Sequence, residues 1–278
     1  MPNNFRFKNA RYGGRFLFMK TTVRLFVFLI CAALLYSTAM YGYVWMKMRP
    51  QSPVSAVSRI VSAAKRPQTR MLHRVNSVRR AKAKDSSYNA FELDLYRHNG
   101  KLLVAHDEKE LASAPEPGDI FCAVKNPGEK IWWIDLKTDL SQQDIDQLTS
   151  QAARCGVHPR NLFFETICGP QAQLLTKNGL LILLSVPHGF DNDGGNPQKR
   201  ADLNAELEEQ IRRCQPFALA GSFGKYPYLK AYFPHYNKAI YSATTVRPSL
   251  KKKFLADAML QDPSVLIWMQ DEYTALPF

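Results

Sequence analysis

Two carboxylates, a tight turn and a histidine fall within one short stretch: Phe91-Glu92-Leu93-Asp94-Leu95, then Asn99-Gly100, then Leu102-Leu103-Val104-Ala105-His106-Asp107. Glu92 and Asp94 stand two apart in an apolar run, so on a strand both project from the same face. Two like charges among Phe and Leu are costly unless something cationic meets them. Asn-Gly between apolar runs is a two-residue hairpin signal, and the returning run ends in His-Asp. Oxygen ligands suited to a hard divalent cation, beside an imidazole able to move protons, are the material of metal-assisted acid–base chemistry.

Other polar groups close short apolar runs in the same way. His73 closes the first, Asp135 and Lys137 close Trp132-Trp133-Ile134-Asp135-Leu136-Lys137, Glu165 closes the next, and Ser185 and His188 follow. The runs predict strands at Arg70–Val75, Phe91–Tyr96, Ile131–Lys137, Asn161–Thr166, Leu180–Val186, Phe217–Gly221, Ala239–Ala243 and Val265–Gln270. Helices are predicted at Ser141–Arg154, Gly169–Lys177, Ala201–Arg213, Tyr226–Ala231 and Ser249–Leu260, with prolines such as Pro187, Pro216 and Pro248 between elements. Eight strands alternating with helices predict an α/β fold, a (β/α)8 TIM-type barrel. The roughly 205 residues available are few for that fold, so some helices must be brief or missing. A barrel of this kind gathers the strand-end residues onto one face.

Charge is unevenly placed. Residues 1–84 carry 17 of the 37 basic side chains and none of the 24 acidic ones. A basic chain raises nucleic acid as a partner, but here the excess is confined to the N-terminal segment and the remainder is mildly acidic, which argues against it. The basic segment is interrupted by 22 uncharged residues, Leu25 to Met46, which as a helix would span roughly 33 Å. Tyr41, Tyr43 and Trp45 crowd its far end like an interfacial aromatic belt. The chain therefore divides into a basic segment 1–22, a transmembrane signal anchor 23–46, a basic stalk 47–69 and a barrel 70–278. A cleaved signal peptide is the rival to the anchor, since Ser37-Thr38-Ala39 has a small-x-small pattern. First-span behaviour favours a cytoplasmic N-terminus and an extracytoplasmic barrel, although the flanking basic residues are nearly balanced. Cys31 lies in the span; Cys122, Cys155, Cys168 and Cys214 have no CxxC spacing, which argues against zinc and against a disulfide framework, leaving room for one unassigned bridge.

From His73 to Lys137 the chain resembles the glycerophosphodiester phosphodiesterase family, within the superfamily of phospholipase-C-like barrels. The resemblance is carried by His73-Arg74, by Glu92-x-Asp94, by the hairpin ending in His106-Asp107, and by Asp135-x-Lys137. It implies that His73 and His106 form the acid–base pair, that Glu92, Asp94 and Asp135 hold Mg²⁺ or Ca²⁺, and that Arg74 and Lys137 bind the substrate phosphate. Glu165 is an additional candidate. The implied substrates, and so the small-molecule or lipid-derived partners, are glycerophosphodiesters or related phospholipid-derived phosphodiesters; the membrane is expected as a partner from the apolar stretch. The sequence also departs from the family. Val75 stands where relatives carry Gly, Asn76-Ser77-Val78 replaces Glu-Asn-Thr, and the third acid is Asp135 rather than Glu. Asp271-Glu272-Tyr273-Thr274 is at best a remnant of a C-terminal Thr-Asp-x-Pro signature.

Each group also has a plainer explanation. Asp135 and Lys137, facing the same way on a strand, would pair with one another, and Glu165 would serve equally in a salt bridge or cap. His98, His158 and His188 read as surface groups, Arg79–Lys84 as a solvated basic face, and one of Trp132 and Trp133 must face the helices. A weak or inactive barrel used as an envelope binding or assembly module is the alternative function. A related lyase that forms a cyclic phosphate is a third.

Overall fold

A computed structural model describes residues 12–49, 69–190, 196–241 and 250–270. Nine strands run in chain order: β1 (Thr69–Leu72), β2 (Ala90–His98), β3 (Lys101–Val104), β4 (Ile131–Leu136), β5 (Leu162–Thr166), β6 (Leu181–Ser185), β7 (Ala218–Ser222), β8 (Lys238–Tyr241) and β9 (Val265–Gln270). β1 pairs in parallel with both β2 and β9. Eight parallel strands therefore close into a barrel in the order β1-β2-β4-β5-β6-β7-β8-β9, with β3 added antiparallel to β2. The helices are α1 (Tyr12–Met48), α2 (Val78–Lys84), α3 (Pro117–Phe121), α4 (Gln142–Arg154), α5 (Pro170–Lys177), α6 (Pro197–Cys214), α7 (Tyr226–Tyr232) and α8 (Leu250–Leu260). This is the (β/α)8 TIM-type fold that the strand rhythm predicts. α2, α3 and α7 have only seven, five and seven residues, which is how the barrel fits a short chain.

The lumen is filled by complementary sizes. Trp133 and Phe163 on β4 and β5 face Ala218, Ala220 and Ala239 on β7 and β8. On the other face of the strands, Phe91 and Leu93 of β2 and Trp132 and Ile134 of β4 point outward into the helical layer. Trp132 there meets Phe91 and Phe121, with ring centroids 5.6 and 4.7 Å apart.

Three expectations change. β1 ends at Leu72 rather than Val75, because Arg74 adopts a left-handed backbone (φ 56°) that no strand continues through. The basic run Arg79–Lys84 is not merely a solvated face; it is most of α2. Ser77 Oγ caps that helix by accepting the Arg80 N–H at 3.2 Å, and Ala81 is buried in the core. The cysteines form two disulfides, Cys122–Cys155 between the ends of α3 and α4, and Cys168–Cys214 between the β5–α5 connection and the end of α6. Partners 33 and 46 residues apart leave no local pattern, since helix packing alone brings them together.

Within α1, Thr22–Met48 is long and apolar enough to cross a membrane. The helix continues two residues past the predicted end of the span. The part of the predicted basic segment before Tyr12, residues 50–68 of the predicted stalk, the end of the Ala239–Ala243 strand and Asp271–Thr274 lie outside the described residues.

Candidate metal and acid–base site

Parallel register builds the acidic cluster. Asp94 on β2 is opposite Asp135 on β4, and Asp135 is opposite Glu165 on β5, so three inward carboxylates form one row across the barrel. Glu92 lies one inward position deeper, level with Trp133. Carboxylate oxygens of Glu92, Asp94 and Asp135 all lie within 4.8 Å of one another. Glu92 and Asp94 are each 1 % exposed. Burial, and then the neighbouring charge of Asp94, push the Glu92 carboxyl well above the usual carboxylate range.

Each acid is held by a different device. The left-handed turn at Arg74 directs its backbone N–H to Glu92 Oε2 at 2.5 Å. Asn76 grips Asp94 twice: its Nδ2 donates to Asp94 Oδ2 (2.6 Å), and its Oδ1 accepts the Asp94 N–H (3.1 Å). Lys137 Nζ donates to Asp94 Oδ1 (2.7 Å) and Asp135 Oδ2 (2.5 Å). Burial by itself would raise Asp94, but the hydrogen bonds from Lys137 and Asn76 outweigh it and bring the carboxyl below its ordinary value. Burial would likewise lower Lys137, and the Asp135 charge reverses that and holds the ammonium firmly protonated.

The two predicted histidines flank this cluster. The Asn99-Gly100 turn, with φ of 50° and 73°, pairs His98 with Lys101 and swings the chain back along β3. His106 then places Nδ1 3.2 Å from Asp94 Oδ2. A carboxylate only accepts, so Nδ1 carries the proton and Nε2 is the basic nitrogen. His73, just beyond β1, has Nε2 3.9 Å from Glu92 Oε2. Asp107 turns away: its side chain pairs with Lys109 at 3.2 Å.

Glu165 joins the row but is satisfied separately. It accepts from Ser185 Oγ (2.5 Å) and Trp133 Nε1 (3.0 Å), and burial followed by the Asp135 charge pushes its carboxyl up to about 7. The Arg74 side chain is exposed, as are His98, His158 and His188. Asn76 has no counterpart in the predicted site. Its only signal in the sequence was a polar side chain immediately after the His-Arg-Val segment that ends the first strand.

No protein-family model matches the chain, and no curated protein matches it. Among solved structures, the barrel is similar to a glycerophosphodiester phosphodiesterase from Parabacteroides distasonis. That match has 12% identity, a TM-score of 0.47, and covers 74% of this chain and 93% of the other. N-(5'-phosphoribosyl)anthranilate isomerase from Pyrococcus furiosus matches with 8% identity, TM-score 0.45 and coverage of 73% and 88%. A Yersinia pestis dihydropteroate synthase matches with 12% identity, TM-score 0.44 and coverage of 74% and 88%. Likenesses at this level do not distinguish one barrel enzyme from another, so function must be argued from the site.

Proposed function

We propose that this chain is a membrane-anchored, metal-dependent phosphodiesterase that hydrolyses glycerophosphodiesters or related phospholipid-derived phosphodiesters. The observation that carries the reading is the Glu92–Asp94–Asp135 triad, with Glu92 and Asp94 buried, between two histidines at the C-terminal end of the barrel strands. The donor set fits a divalent cation. It is made wholly of carboxylate oxygens, as Mg²⁺ and Ca²⁺ prefer, and the burial and neighbouring Asp94 charge that raise the Glu92 carboxyl are what such an ion would offset. When bound, the ion supplies Lewis-acid polarisation of a phosphoryl oxygen. His106 Nε2, oriented by Asp94, takes the proton from the attacking oxygen, and His73 protonates the leaving alkoxide. Lys137 and the exposed Arg74 attract the phosphate oxygens. Two disulfides in the barrel favour an oxidising compartment for it, which, with α1 as the anchor, goes with a cytoplasmic N-terminus.

Full-length protein in detergent or nanodiscs, supplied with Mg²⁺ or Ca²⁺, is expected to release alcohol from a panel of glycerophosphodiesters. It should lose turnover with EDTA and in Glu92→Ala. No release across the panel sinks the reading.

One observation favours the alternative of an inactive binding barrel. The Lys137 ammonium already bridges Asp94 and Asp135, so the cluster carries a cation of its own. In that case the protein shows neither turnover nor a cation-dependent rise in thermal midpoint.

A further inference from the structure

The apolar helix does not stand clear of the barrel. Among the described side chains of α1, Ser37, Met40, Val44 and Met48 recur every three to four residues and are at least partly covered, forming one stripe, with Gly42 partly covered as well. Val44 is 5% exposed and joins the cluster that includes Tyr228 and Leu255, and the ring of Tyr41 meets Phe254 edge-on at 6.0 Å. The uncharged stretch ends at Met46, so these contacts come from the last turns of the segment proposed to cross the membrane. Beside them Tyr43 and Trp45 are exposed, with Lys47 and Arg49 over their rings at 6.0 and 5.6 Å, an arrangement suited to the membrane–water boundary. Side chains at that depth reach the barrel only where its wall lies in the headgroup layer.

The part of the wall they reach is specific. A cavity of about 230 Å³ between α1 and the barrel is lined by Phe190, Gly224, Pro227 and Tyr228. Phe190 and Gly224 lie in the connections that leave the C-terminal ends of β6 and β7, and Pro227 and Tyr228 lie in the first turn of α7. That is the end of the barrel that carries the acidic triad. Ile167, in the connection after β5, is 73% exposed, and among the described residues it is the large apolar side chain exposed outside α1. It is two residues beyond Glu165, on the rim of the same face.

We propose that the mouth of the site lies at the bilayer surface and that its substrate is a phosphodiester carried by a lipid of the membrane α1 spans. The headgroup is met at the interface, with Ile167 dipping among the lipids beside it. This rests on the phosphodiesterase reading and on α1 as a span.

The test uses the full chain in vesicles that contain a phosphodiester lipid, in a Cys31→Ser background. A fluorophore on His188→Cys, at the triad end, is expected to be quenched by headgroup-spin-labelled lipid several-fold more than one on Lys177→Cys, at the end of α5 on the opposite face. Ile167→Ser is expected to lower turnover of the vesicle lipid several-fold while leaving that of a water-soluble glycerophosphodiester unchanged. Equal or reversed quenching overturns the proposal, and so does turnover of the soluble diester alone. Absence of turnover on both substrates would instead overturn the phosphodiesterase reading, while the quenching would still report where the mouth lies.

Discussion

Two lysines are embedded at opposite ends of the barrel, and their surroundings differ. At the C-terminal end, Lys137 faces Asp94 and Asp135, with Glu92 and Glu165 close behind, so acids outnumber the cation and the site stays open at its mouth. At the N-terminal end, Lys238 is fully buried, and its Nζ is met by Tyr236 O (2.8 Å), Ser264 Oγ (2.9 Å) and Pro234 O (3.5 Å). Ser264 passes that contact on to Asp262, which also accepts from Lys230 at 3.0 Å and Tyr226 at 3.1 Å. In the second cluster the buried ammonium is met by neutral oxygens and the one carboxylate has several donors, as a structural polar network requires. The first gathers more carboxyls than cations, which fits a place reserved for a further cation or for substrate.

The comparison is broken most sharply by mutating one end at a time. His106→Ala is expected to lower turnover about 10²- to 10⁴-fold, the usual weight of a general acid–base group, with the thermal midpoint nearly unchanged. Lys238→Ala should do the reverse, costing about 3 kcal/mol of stability in denaturant unfolding by opening a cavity and stranding its partners, with turnover retained. If Lys238→Ala abolishes turnover at full stability, the division between a chemical end and a structural end is wrong.

Cation binding sharpens the same contrast. Mg²⁺ or Ca²⁺ at about one hundred times its dissociation constant should stabilise the wild type by about 2.7 kcal/mol, and Glu92→Gln should show no such gain in a calorimetric scan.

The smallest effects are slopes with pH, at most about 1.4 kcal/mol per unit for one group. Glu165 rises from 4.5 to about 7 on folding, so the native state holds a proton that the unfolded chain releases. Stability of the metal-free protein therefore falls as pH rises across that window, and Glu165→Gln should flatten the fall. Burial lowers Lys238 from 10.5 to about 7, so there the unfolded chain holds the extra proton and stability rises between those values. Lys238→Met should remove that rise in unfolding measured across the window.

Much of this was legible in the chain. The strands appear where short apolar runs end in polar groups, and the Asn99-Gly100 turn falls where its backbone demands. Glu92-x-Asp94 and Asp135-x-Lys137 each declare a shared face through the period of a strand, while the grouping of the three acids with His73 and His106 came from the family resemblance. Asn76 was not legible, because one asparagine after a strand has no periodic partner. The disulfides were hidden for a related reason: cysteines 33 and 46 residues apart meet only through helix packing. α2 was missed because its basic composition masks the single buried Ala81.

By itself the sequence determined which residues share a face, where the long apolar stretch lies, and that two acids stand within an apolar run, since each of these follows from local periodicity and composition. Only the tertiary structure decided that Asp94, Asp135 and Glu165 form one row, that Asn76 and the Arg74 N–H hold the acids, and that α1 packs against α7 and α8. Those outcomes depend on strand register and barrel closure, which bring together groups far apart in the chain and leave no trace in any short stretch of it.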